Sequence, residues 1–302
     1  GIKAGDRIIS VGGENVAGIG IDNNRVMKTL RGKKGSIVKI GIVRPGVDQQ
    51  LDFVVKRDVI HNNTITAPYM IDKKTGYIKI DQFGNTTASE FEVALLKLKA
   101  QGMQKLILDL RGNAGGYLTS AITICDHLLA DKETILSVEG RNTQKEVIQA
   151  TKAGLFQTGD VVVLIDEFSA SASEIVAGAV QDNDRGWVVG RRSFGKGLVQ
   201  QHTEFDDGSS LRLTVSRYHT PSGRCIQRDY HSGTDAYYED LVQRYENGEM
   251  DSVNNIKFAD SLKFYTKKGR VVYGGGGIMP DHFVGLDKRS YSPDYLILIN
   301  SP

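Results

Sequence analysis

The chain is poor in cysteine and has no metal-binding spacing. Cys125 and Cys225 are its only two cysteines and stand far apart. Each is expected to be a small apolar residue rather than half of a disulfide. No CxxC or CxxH pair occurs, and the six histidines form no HExxH, so neither a structural nor a catalytic zinc is expected. A charge excess is missing too. The 38 Lys and Arg oppose 36 Asp and Glu, a net of +2, which leaves no electrostatic footprint for nucleic acid or an acidic membrane. There is no unbroken apolar run of membrane-spanning length and no signal peptide. The chain starts at Gly1, and the stretch 1–6 reads like the interior of a domain, so further sequence ahead of it is expected.

What is present suits a core that needs no staple: 40% hydrophobic and 25% charged residues, the balance of a soluble globular chain. The 302 residues allow two domains. Residues 1–58 read as a small β-rich unit. Arg7–Val11 is a short strand, followed by a turn at 12–15 and a short helix over Asp22–Leu30 with Val26 and Leu30 on one face. Val38, Ile40 and Ile42 then alternate with Lys39 and Gly41. Beyond Arg44-Pro45-Gly46, Leu51, Phe53 and Val55 alternate again, which predicts a hairpin with one buried face.

From about residue 75 strands and helices alternate. Strands are expected at Gly76–Ile80, Leu106–Leu110, Val161–Ile165 and Trp187–Gly190. Helices are expected at Ala88–Ala100, where Phe91, Leu95 and Leu98 share a face, and at about 118–130 and 172–182. That order implies an α/β core with largely buried strands, on residues 59–302. The polar, Tyr-rich stretch at about 229–272 breaks the pattern and reads as a surface insertion, irregular or helical.

Two segments carry candidate chemistry. In Phe168-Ser169-Ala170-Ser171-Ala172-Ser173-Glu174 a strand gives way to a Ser-rich turn and then to an apolar helix. Ser171 and Glu174 have the S-x-x-E spacing of a capping box, so Ser171 can be a simple cap. The same geometry would also hold its Oγ exposed beside outward-pointing N–H groups at the positive end of a helix, which can stabilise an oxyanion. A nucleophilic serine needs a base, and no His-Asp pair presents one. His127 falls on a helix, where it packs or caps, and His202 falls in a strand.

The stronger base is Lys196, flanked by Gly195 and Gly197. A lysine at its ordinary pKa of ~10.4 is protonated near neutrality, but burial disfavours the charge and opens the role of base. Gln200, four residues on, can hold the amine without adding charge. A solvated turn lysine is the plain alternative. A phosphate-binding one is poorly supported because the GxxxxGK[ST] frame is absent.

Together these segments resemble the C-terminal processing, or tail-specific, serine peptidases. The run SASASEIVAGAVQDNDRGWVVGRRSFGKGLVQ carries that signature, with 25 residues from Ser171 to Lys196. LILDLRGNAGG at 106–116, Leu211–Thr214 with Thr220–Arg224, and Gly277–Asp281 follow in the family's order. The resemblance implies Ser171 as nucleophile, Lys196 as general base and Gln200 as its support. It also implies an oxyanion hole from the backbone N–H groups of Gly116 and Ala172. Asp109 and Arg111 are expected to brace the turn. Ala114 stands where the family usually has Pro, which leaves the turn less rigid.

The implied fold is a crotonase- or ClpP-like α/β protease core with a small β-rich PDZ domain and the surface insertion. The PDZ-like module is residues 1–58, similar in its Gly1–Val11 run and expected to lack its N-terminal part. The implied function is a serine endopeptidase that cleaves proteins recognised by apolar C-terminal tails, without cofactor, metal, nucleotide or nucleic acid. A periplasmic or envelope location follows from the resemblance alone. A homo-oligomer is compatible with the sequence. A catalytically silent PDZ-containing scaffold is the rival reading, and a CoA-binding enzyme on the same fold is a second.

Overall fold

The computed structural model describes residues 1–59, 63–141, 143–231 and 233–287. It divides into two compact units, residues 1–62 and 63–302.

The smaller unit holds β1 (Arg7–Val11), β2 (Glu14–Asn15), α1 (Asn23–Leu30), β3 (Ile37–Val43) and β4 (Leu51–Lys56). Its sheet runs β2-β1-β3-β4, antiparallel throughout. The alternating residues of the hairpin sit directly opposite one another: Val38 on Val55, Ile40 on Phe53, Ile42 on Leu51. They form the small core with Val11 and Leu30, because residues two apart on paired strands share a face. The Asp22 carboxylate caps α1 by accepting from Arg25 N–H at 2.7 Å. Arg57 closes the other end, donating to the Leu30 and Thr29 carbonyls.

The larger unit runs in chain order β5 (Ile65–Met70), β6 (Thr75–Ile80), α2 (Thr87–Ala100), β7 (Lys105–Asp109), α3 (Leu118–Leu128), β8 (Thr134–Gly140), β9 (Thr143–Gln149) and β10 (Asp160–Ile165). It continues through α4 (Ala172–Asp182), β11 (Trp187–Gly190), β12 (Leu198–Glu204), β13 (Ser210–His219), α5 (Thr234–Glu246), β14 (Lys263–Tyr265), β15 (Val271–Tyr273) and β16 (His282–Phe283). The main sheet has the order β16-β11-β10-β7-β6-β5 and is parallel except for β5 at one edge. Its inward residues Ile78, Ile80, Leu106, Leu108, Val163 and Val188 are fully or almost fully buried. Helix α2 buries Phe91, Ala94, Leu95 and Leu98.

A second sheet, β12-β13-β8-β9, is antiparallel. The sequence reading does not assign the β8–β9 hairpin. Helix α4 touches β8, β10, β11 and α3, and all eleven of its residues are buried. A helix enclosed on every side needs a largely apolar or small surface, which Ile175–Val180 supplies, while the buried Glu174, Gln181 and Asp182 at its ends are hydrogen-bonded. A Cβ on Gly178 would lie 2.8 Å from Thr220 Cγ2, so this position has no room for a side chain.

The stretch at about 229–272, expected to be irregular or helical, holds α5 and also most of the β14–β15 hairpin. Arg244 of α5 is buried, pairs with Glu249, and donates to the carbonyls of Ser193 and Arg192. The helix is thereby bonded to the segment that leads into Lys196.

Candidate active site

The parallel strands β7 and β10 end side by side, with Leu110 N–H donating to the Leu164 carbonyl. Two turns leave these ends, 110–116 and 166–171, at the carboxyl edge of the sheet where open α/β folds place their sites. They are stitched together. The Asp166 carboxylate accepts from Gly112 N–H at 2.9 Å and from Phe168 and Ser169 N–H. Ser169 Oγ donates to the Leu110 carbonyl, and the Asn113 carbonyl accepts from Ala170 N–H and Ser173 Oγ. The Asn113 amide, wholly buried, donates to Ile80 O and accepts from Gly115 N–H. Asp109 and Arg111 brace this turn through paired hydrogen bonds. Burial works against the Asp109 carboxylate, yet its bonds from Arg111 and Tyr77 bring it below its ordinary range. The Tyr77 hydroxyl, by burial and by that bond, is pushed up to about 12.

Ser171 sits at the N-cap of α4 with φ +54° and ψ −110°. Few non-glycine residues hold such a backbone, and it stores about 1–3 kcal/mol of strain that the surroundings must over-determine. The surroundings here do so. Glu174 Oε2 accepts from Ser171 N–H at 2.8 Å and also from Lys196 N–H at 2.8 Å. Its Oε1 takes Gly195 N–H at 2.7 Å and Ser193 Oγ at 2.5 Å. Burial pushes the Glu174 carboxyl up, and these four bonds pull against it. The buried Tyr218 hydroxyl lies 3.1 Å from the Ser171 carbonyl and 2.9 Å from the Lys196 carbonyl, donating to both. Burial lifts it well above its ordinary pKa, so it stays a donor.

Of the residues expected at the site, Ser171 and Lys196 are half-buried, and Gln200 is exposed on β12. Lys196 and Gln200 line one cavity of about 850 Å³, together with Ala114, Phe168, Phe194 and Tyr237. Among the described residues no hydrogen bond links Ser171 Oγ, Lys196 Nζ and the Gln200 amide to one another; such contacts often tighten only with substrate bound. A Cβ on Gly115 (φ +97°) would lie 2.8 Å from Ser171 Cβ and 2.9 Å from Ala172 N, so the Gly-rich turn presses directly on the serine. Gly116 (φ +144°) pairs instead with Phe83, whose carbonyl a Cβ there would meet at 2.1 Å. Ala172 is the first helical residue of α4, where the N–H has no intrahelical acceptor.

His127 is buried against Phe91, and His202 is exposed on β12 with its ring 3.6 Å from Glu204. Nothing in the sequence signals Tyr218 or Asp166 as parts of the site. Glu174 is legible as half of a capping box, but its bonds to 193–196 come from 19 or more residues away.

Comparison with known proteins agrees with this architecture. Residues 74–236 match Peptidase family S41. The carboxy-terminal processing protease CtpA of Bacillus subtilis (strain 168) is 36% identical over 274 residues, 87% of this chain and 57% of that protein. CtpB of the same organism is 40% identical over 233 residues, covering 76% and 47%. A solved structure from Bacteroides fragilis NCTC 9343, assigned to the S41 proteases, superposes with TM-score 0.50 at 16% identity over 82% of this chain and 74% of its own. The fold is therefore the mixed α/β fold of that group. The chain belongs to peptidase family S41. It spans about half the length of the Bacillus relatives.

Proposed function

We propose that this chain is a serine endopeptidase of the C-terminal processing type. The observation that carries the reading is the strained N-cap of Ser171, joined to Lys196 through one carboxylate oxygen and one hydroxyl. A plain cap has no use for a φ of +54° or for a lysine loop fastened to it.

In this reading the Lys196 amine takes the Ser171 hydroxyl proton as Oγ attacks the carbonyl carbon of a peptide bond. Gln200 orients that amine. The N–H groups of Gly116 and Ala172 receive the oxyanion of the tetrahedral intermediate. Its collapse breaks the C–N bond, the departing amine takes a proton from Lys196, and Ser171 is left acylated. Water, deprotonated by Lys196, then attacks the ester carbonyl; the bond to Oγ breaks, Lys196 returns the proton to Ser171 Oγ, and the acid product leaves. The small β-rich unit is read as a PDZ module that takes an apolar C-terminal tail by strand addition, and the working place as the periplasm or cell envelope. Among the described residues no helix is long and apolar enough to cross a membrane.

The test is cleavage of an unstructured protein with an apolar C-terminus by the parent chain, Ser171→Ala and Lys196→Ala. Activity in the parent, lost in both folded variants, supports the dyad. Cleavage by Ser171→Ala overturns it, and a parent that binds tails but never cuts favours the silent scaffold.

A further inference from the structure

Arg228 carries an unused binding fork beside the site. Its residue is 5% exposed, and its guanidinium is sandwiched between the rings of Phe194 and Tyr237, 3.9 and 4.0 Å from their centroids. Nη1 donates to Asp240 at 2.5 Å. Nε and Nη2, both shielded from solvent, have no acceptor among the described residues.

These two atoms form the side-on edge of the guanidinium, which matches the two oxygens of a carboxylate. Among the described residues five other arginines set this edge on a carboxylate, whereas Arg244 and Arg270 place Nε on an acid and Nη2 on a backbone carbonyl. Arg44 places Nε and Nη2 on Asp6, Arg111 on Asp109, Arg191 on Glu167, Arg192 on Glu249 and Arg224 on Asp182. The Arg228 charge itself is paired with Asp240, but two buried N–H donors without an acceptor are costly, and such groups in a native fold call for an explanation.

The position points to the ligand's source. Phe194 and Tyr237, the two covering rings, line the cavity that also holds Lys196 and Gln200. Arg228 N–H donates to Gly195 O, one residue from Lys196. We propose that the Nε/Nη2 edge of Arg228 binds a carboxylate of a peptide seated in this cavity, and so selects acidic groups near the cleaved bond. The inference rests on the proposed peptidase reading and names a specificity element for it. The carboxylate is either the peptide's own C-terminus or an Asp or Glu side chain. The faces of the guanidinium are already filled by the two rings, so only the in-plane edge is left for a ligand.

The test uses the full chain carrying Ser171→Ala, so that binding is read without cleavage. Four fluorescent peptides of one apolar sequence are titrated: free acid, C-terminal amide, amide with an internal Glu, and the same with Gln. We expect the free acid to bind about tenfold tighter than the amide if the terminus is the source, or Glu to bind tighter than Gln by that factor if the side chain is. The preference disappears with Arg228→Gln. In Arg228→Lys, which keeps the charge without the fork, it shrinks. Should Arg228→Gln not fold, Arg228→Lys together with the shift of the Arg228 Nε–H resonance on adding the preferred peptide decides. Equal affinity of all four peptides, or a preference that survives both variants, overturns the proposal. Carboxylate-selective binding with no cleavage by the parent chain would sink the peptidase reading and leave this inference standing.

Discussion

Ser171 and Lys196 are fastened to each other at both ends of their backbones. Their N–H groups share Glu174 Oε2, each at 2.8 Å, and their carbonyls share the Tyr218 hydroxyl, at 3.1 and 2.9 Å. Residues on different loops, 25 positions apart in sequence, are thus held in register by one buried anion and one buried donor.

Replacing the anion should loosen that register. In Glu174→Gln one oxygen becomes an amide nitrogen and faces two donors with hydrogens of its own. Leaving two buried donors unsatisfied costs about 2–6 kcal/mol. Chemical denaturation should show a loss of that order, and turnover should fall more than substrate affinity. A variant of parental stability and turnover would contradict the role given to Glu174.

Strain at Ser171 separates two inactive variants that otherwise look alike. Alanine keeps a Cβ at φ +54°, whereas glycine does not object to that backbone. Ser171→Gly should therefore be more stable than Ser171→Ala by about 1 kcal/mol, despite glycine's greater freedom in the unfolded chain. Matched unfolding curves of the two variants give the comparison directly.

Gly115→Ala tests the pressing of the Gly-rich turn on the serine. The added methyl would meet Ala170 O at 2.7 Å and Ser171 Cβ at 2.8 Å, at a φ of +97°. A stability loss of about 1–3 kcal/mol should accompany a loss of cleavage of at least tenfold. Gly112→Ala, where a Cβ meets nothing within 4 Å but φ is +74°, should lose stability with little change in the active site.

In the small unit the Arg44 guanidinium holds the Asp6 carboxyl at about 2 through paired hydrogen bonds. The folded pKa lies below the ordinary value of ~3.9, so the stabilisation is complete above that value and is lost as pH falls toward about 2. Hydrogen exchange of the β3 amides in the full chain should slow in the parent relative to Asp6→Asn at pH 6. The two should converge near pH 2. A difference unchanged across that range would remove the ion pair as the cause.

His127 gives the opposite region of the pH scale. Burial lowers its pKa, and its Nδ1 has no partner among the described residues. A neutral imidazole is favoured in the fold, so stability is complete above ~6.5 and declines as pH falls below it. His127→Gln should flatten that part of the denaturation-midpoint profile between pH 7 and pH 5. An unaltered slope would place the titration elsewhere.

Much of the larger unit was legible because its strands are short apolar runs bounded by turn residues. Strand β11 was read to the residue, and α4 at about its observed bounds, since the apolar and small run Ile175–Val180 marks its buried middle. The β12–β13 hairpin hides its register, because Gln200–Glu204 and Ser210–Thr214 are exposed on both faces and no burial alternation marks them. Strand β13 pairs with β8 across some 80 residues, a partnership that local pattern does not encode.

By itself the sequence determined the local states: the parallel-strand runs, the Ser171–Glu174 cap and the order of the motif segments. Local propensity and side-chain period act within a few residues, so these could be read in place. Only the tertiary structure decided that Glu174 and Tyr218 join the two loops of the site, and that the Nε and Nη2 donors of Arg228 have no acceptor among the described residues. Those facts depend on hydrogen bonds and packing between segments far apart in the chain, and such contacts come into being only when the sheets and helices close around one core.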